Sequence, residues 1–117
     1  MVNESKERVA DSLNELSMTI ILHAGNARKN VSEALIALKQ EDYNQSQKLL
    51  AEAKTEVVVA HKMQTSTLQQ EAEGKQIRYS TLFSHAQDTL MTVQSELFIA
   101  DHLVTLFKKL VSMEGAK

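Results

Sequence analysis

Between Phe83 and Val111 the apolar residues fall alternately three and four positions apart: Phe83, Ala86, Leu90, Val93, Leu97, Ala100, Val104, Phe107 and Val111. An unbroken seam of this kind writes one apolar face onto a long α-helix. The chain holds no proline and only three glycines, so little in it interrupts a helix. A β topology would need frequent turns, and the residues that write turns are scarce. Aromatic residues at 4% argue against sheet as well.

Two further helical patterns precede the seam. The first spans about 4–40 with the stripe Val9, Leu13, Leu16, Ile20, Ala24, Ala27, Val31, Ala34 and Leu38. Gly25 lies within it, where a bend or a close backbone approach is expected. Asp42, followed by Gln45, reads as a capping box opening a second helix over about 43–73. That helix carries Leu50, Ala53, Val57, Ala60 and Leu68 and stops at Gly74. Ser80 can cap the third helix, about 81–114. Short connections make successive helices antiparallel. The expected fold is therefore all-α, an antiparallel three-helix bundle, and at 117 residues the length suits one domain over 1–117. Met18, Met63 and Met91 are expected as core filler.

Composition removes several function classes. A formal net charge of -2 gives no electrostatic footprint for nucleic acid. The absence of cysteine excludes disulfides, a thiolate nucleophile and a cysteine zinc site. No apolar run approaches the length of a membrane span, and Met1–Arg8 lacks the apolar core of a signal peptide. A soluble, cytoplasmic protein without direct membrane insertion is expected.

The third helix carries a second stripe: Thr81, His85, Asp88, Thr92, Ser95, Ile99, His102 and Leu106, flanked by Leu103 and Leu110. One intramolecular seam does not need this extra apolar surface, which points to a second packing partner, most economically another copy. Near its start, His85 and Asp88 share a face at i and i+3. A group that titrates near neutral pH thus stands beside an always-anionic one. In a closed ring of copies the Asp88 carboxylates would repel one another unless a proton or hard divalent ion intervened. On its own, a lone helical Asp is also compatible with simple solvation.

In this setting three patches resemble a known family. They are His23-Ala24-Gly25-Asn26-Ala27-Arg28; Ala60-His61-Lys62-Met63-Gln64-Thr65 with Glu71-Ala72-Glu73-Gly74; and His85-Ala86-Gln87-Asp88 with Leu90-Met91. Together they are similar to enzyme IIA of the lactose/cellobiose/diacetylchitobiose branch of the bacterial sugar phosphotransferase system. The resemblance implies a phosphocarrier assembling as a homotrimer, with His85 as the phosphohistidine acceptor through Nε2. It implies one Mg²⁺, or another divalent cation, per trimer, shared by three Asp88 side chains. The implied donor is the histidine-containing phosphocarrier protein. The implied acceptor is a cysteine of enzyme IIB, serving uptake of a β-disaccharide of the cellobiose, lactose or chitobiose type. The sequence departs from the family at Thr89, where His is common, and at Asn26, where Asp is common.

Around this site Gly25, Leu82 and Phe83 are expected as walls, and Gln87 to serve a neighbouring subunit. His61 and His23 are either part of the rim or satisfied structural residues. A non-catalytic helical oligomerisation or adaptor module would explain the heptads equally well. A two-component phosphotransfer domain is disfavoured because Ser84 and Ala86, not a basic residue, flank His85. A di-iron bundle would need paired Glu-x-x-His motifs, which the sequence lacks.

Overall fold

The computed structural model describes residues 2–115, with side chains described for 12–115. Three helices follow in order: α1 (Val2–Lys39), α2 (Tyr43–Ala72) and α3 (Thr81–Gly115). The molecule is a rod of 75 × 22 × 18 Å. Each sequence-predicted helix is present within two residues of its expected ends. Among the described residues there is no strand, and no helix is long and apolar enough to cross a membrane.

Side-chain pairs fix the directions. Ser46 Oγ donates to the Ala34 carbonyl at 2.8 Å, and His23 Nδ1 lies 2.5 Å from Glu56 Oε2. As numbers rise along α2 they fall along α1, so the two run antiparallel. Arg78 reaches Asn14 and Arg28 reaches Glu96, so α3 runs alongside α1 in the same direction. Lys54 Nζ meets Asp101 Oδ1 at 3.3 Å, tying α2 to α3.

The expected stripes form the core. Leu13, Ile20, Ala24, Ala27, Val31, Ala34 and Leu38 are buried from α1, and Leu50, Ala53, Val57 and Ala60 from α2. From α3 the seam is buried from Phe83 to Val104. Many of these are alanines, which let helix axes approach closely. Two buried hydroxyls are satisfied within their own helix: Ser17 donates to the Leu13 carbonyl at 2.7 Å and Thr67 to the Met63 carbonyl at 3.2 Å.

The caps follow the sequence. Asp42 accepts from the Gln45 amide at 3.2 Å, and Ser80 Oγ accepts from the Phe83 amide at 3.1 Å. Both α1 and α2 end in the Schellman pattern. At the first end the Asp42 amide bonds the Ala37 carbonyl and Glu41 bonds Leu38. At the second, Lys75 bonds Gln70 and Gly74 bonds Glu71, with Gly74 at φ 96°.

Several expectations are corrected. Helix α1 is continuous through Gly25, and a Cβ there would meet nothing within 4 Å, so among the described residues no backbone outside its own helix turn approaches it. Met18 and Met91 are exposed rather than core filler; only Met63 packs against the core. Leu68 is exposed because the buried face of α2 there is carried by Gln64 and Thr67, and Phe107 is exposed where the α3 seam passes the end of the hairpin. Phe107 still touches Tyr43, ring centroids 6.3 Å apart. Val9 lies outside the residues whose side chains are described.

Candidate functional site

The first turns of α3 present His85 and Asp88 on an exposed surface while the opposite face is locked down. Phe83, Ala86 and Leu90 are buried on the seam, and Ala86 and Leu90 have no exposed surface at all. Ser80 terminates the connection by capping the helix through its side chain and by accepting the Ser84 amide at 3.0 Å. The backbone that carries the imidazole is thus rigid, and the imidazole itself is open to solvent and to a partner.

Among the described residues no hydrogen bond reaches the His85 ring, and neither a hydrogen bond nor an ion pair reaches the Asp88 carboxylate. Their backbone carbonyls are engaged instead. Thr89 Oγ1 donates to His85 O at 2.7 Å, and Thr92 Oγ1 to Asp88 O at 2.8 Å. Thr89 therefore spends its hydroxyl on its own helix.

The remaining expected residues divide. Leu82 and Gln87 are half-buried beside the exposed pair. Phe83 belongs to the core at 7% exposure, so it supports the site from beneath and is not a wall. Gly25 is exposed on α1. His61 is exposed on α2 and lies 3.4 Å from Thr65 Oγ1 of its own helix, with no bond to His85 or Asp88. His23 pairs with Glu56, the structural alternative. Sequence reasoning did not foresee the Arg28–Glu96 pair. Arg28 Nε and Nη2 converge on Glu96 Oε1 at 3.0 and 2.7 Å, clamping α1 to α3 about three turns beyond His85.

Among the described residues of a single chain a metal finds no complete donor set. Among the described residues no three His, Cys, Asp or Glu side chains are grouped to hold an ion. Asp88 supplies one exposed carboxylate, a hard oxygen donor of the right kind for Mg²⁺ but insufficient alone. The donor set fits a divalent ion only if other copies contribute.

The whole second stripe of α3, from Thr81 through Leu106, is exposed. Ile99, Leu103, Leu106 and Leu110 each keep roughly half their surface in water, 46 to 55%.

Comparison with known proteins places this arrangement. The family described as the lactose/cellobiose-specific IIA subunit of the phosphotransferase system matches residues 15–108. The lactose-specific EIIA component of Staphylococcus epidermidis is 39% identical over 99 residues, covering 85% of this chain and 95% of that protein. The crystal structure of PtcA from S. mutans superposes with a TM-score of 0.82 at 37% identity, over 84% of this chain and 96% of that one. A chitobiose IIA solved in complex with HPr superposes with a TM-score of 0.73 at 30% identity, over 84% and 95%.

Proposed function

The chain belongs to the lactose/cellobiose-specific IIA family of the sugar phosphotransferase system, and from that premise we propose that His85 is its phosphoryl-carrying residue. One observation carries the reading: His85 is an exposed imidazole, free of side-chain partners among the described residues, on a helix face whose reverse side is fully packed. A chitobiose relative has been solved with HPr, and the corresponding donor for this chain is the phosphohistidine of a histidine-containing phosphocarrier protein.

In this mechanism the neutral His85 ring keeps its proton on Nδ1, and the Nε2 lone pair attacks phosphorus. The Nε2–P bond forms as the donor's N–P bond breaks, and that electron pair stays on the donor imidazole. In the second transfer a cysteine thiolate of enzyme IIB attacks the same phosphorus. The S–P bond forms, and the Nε2–P pair returns to His85. Both steps depend on in-line positioning more than on covalent help from the protein. The fixed α3 backbone supplies that positioning. The half-buried Leu82, three residues before His85 on the same helix, would restrict water on that side of the ring.

The exposed α3 stripe supports assembly with further copies, read here as a homotrimer. Three Asp88 carboxylates would then face one axis. Mg²⁺ or a similar divalent ion held there would neutralise their mutual repulsion. Gln87, one residue off the His85–Asp88 face, is placed to reach a neighbouring subunit. The sugar served is a β-disaccharide of the lactose, cellobiose or chitobiose type.

Reconstitution tests the reading. Purified general phosphotransferase proteins and labelled phosphoenolpyruvate should label the wild-type chain and leave His85→Ala unlabelled at unchanged helicity. Label retained on His85→Ala would overturn the assignment.

A further inference from the structure

A cavity of about 680 Å³ opens at the end of the bundle where α3 begins, bounded by α1, α2 and the 73–80 connection. Its walls are mixed, with Ser12, Ser66, Thr67 and Gln70 on them beside an apolar part. Leu13, Leu16, Met63 and Ile77 line it, and all four belong to the core or pack against it. Lys62 and Arg78 line it too, and no Asp or Glu is among the described lining residues. Arg78 is pinned in place: Nη2 donates to Asn14 Oδ1 at 3.2 Å and Nη1 to the Tyr79 carbonyl at 3.3 Å. Both acceptors are neutral, so they orient the guanidinium without cancelling its charge. Its other N–H donors stay available to an anion.

The volume falls in the range of small-molecule sites, roughly 300–1,000 Å³. The chemistry is two-sided. The apolar part favours a hydrocarbon body, and the two cations favour an anionic head by charge-assisted hydrogen bonds. A sugar leaves the apolar part formed by Leu16, Met63 and Ile77 unused, and a neutral hydrocarbon leaves the cations unused. We propose that this cavity binds a free aliphatic carboxylate of medium chain length, its chain on Leu16, Met63 and Ile77 and its head between Lys62 and Arg78. Neither His85 nor Asp88 lines the cavity, so the site stands apart from the phosphocarrier reading.

Decanoate titrated into the full chain, followed through the methyl resonances of Met63 and Ile77, tests this. Saturable shifts are expected at both residues. Decanol and decyltrimethylammonium should bind at least about tenfold more weakly, the scale of a lost charge-assisted contact. Arg78→Gln and Lys62→Gln should each weaken decanoate by about the same factor, with circular dichroism unchanged. The exposed Lys62 keeps the test valid even if loss of the Arg78 contacts disturbs the connection. Absence of saturation, equal affinity for decanol, or undiminished affinity in Lys62→Gln would overturn the site. Binding to phosphatidylglycerol vesicles that decanoate fails to displace would also overturn it, since the source would be a lipid surface.

Discussion

The hydroxyl of Thr89 donates to the backbone carbonyl of His85 at 2.7 Å, one helical turn back along α3. The residue following Asp88 is therefore tied to the turn that carries the imidazole and leaves the ring alone. This back-bond supplements a carbonyl already facing the helix ladder, so it adds little stability. Thr89→Ala is expected to change unfolding free energy by less than about 0.5 kcal/mol. It should retain phosphoryl acceptance within a few-fold of wild type. Urea midpoints and the initial rate of label incorporation check both. A rate as low as that of His85→Ala would give the Thr89 hydroxyl a chemical role.

Among the described residues Asp88 belongs to no group of three His, Cys, Asp or Glu side chains that could hold an ion, so metal held at Asp88 reports on assembly. In a homotrimer, Asp88→Leu removes the oxygen donors and the like-charge repulsion together. Metal should vanish while the trimer persists. Elemental analysis paired with native mass spectrometry reads the two separately. Stoichiometric metal in Asp88→Leu would place the ion elsewhere, and a single-chain mass for the wild type would remove the shared site altogether.

Glu41 sits at φ 61°, the left-handed conformation that ends α1. Gly74 holds the corresponding place after α2. A side chain there costs roughly 1–2 kcal/mol, of which glycine's greater unfolded-state entropy takes back about half. Glu41→Gly is accordingly expected to stabilise the chain by about 0.5–1 kcal/mol, seen as a higher urea midpoint at unchanged slope. An unchanged or lower midpoint would mean that the Glu41 side chain contributes something the backbone argument omits.

These two helix ends show what the sequence made legible. Gly74 and the Ser80 cap announce themselves by residue type, because backbone conformation and capping chemistry restrict the choice. Glu41 gives no such signal; its conformation is imposed by docking α2 back on α1, where Ser46 bonds Ala34. The α3 seam was readable through Val104, since periodicity records burial along one helix. It misled at Phe107, because burial there depends on how far the neighbouring helices extend. Met18 and Met91 misled for a related reason: residue type says little about which face it occupies. The shared exposed face of His85 and Asp88 was legible from their i, i+3 spacing. The Arg28–Glu96 clamp and the Lys62–Arg78 cavity were not, since they join segments that only the tertiary fold brings together.

Tyr43 makes stability depend on alkaline pH. Its hydroxyl oxygen is buried without a hydrogen-bond partner among the described residues. Burial, reinforced by the charge of Glu41, pushes its phenol above the ordinary value of 10.0. The folded state thus holds the phenolic proton to higher pH than the unfolded chain does. The associated stability is fully present below pH 10.0 and is lost as pH rises through the higher folded value. Tyr43→Phe removes both the titration and the unpaired hydroxyl while keeping the ring against Phe107. Near pH 7 the variant should be at least as stable as wild type. Between pH 9 and 11, wild-type urea midpoints should fall more steeply than those of the variant. Parallel curves would show that the Tyr43 phenol titrates alike in both states, and a less stable variant at neutral pH would show that the hydroxyl has a partner.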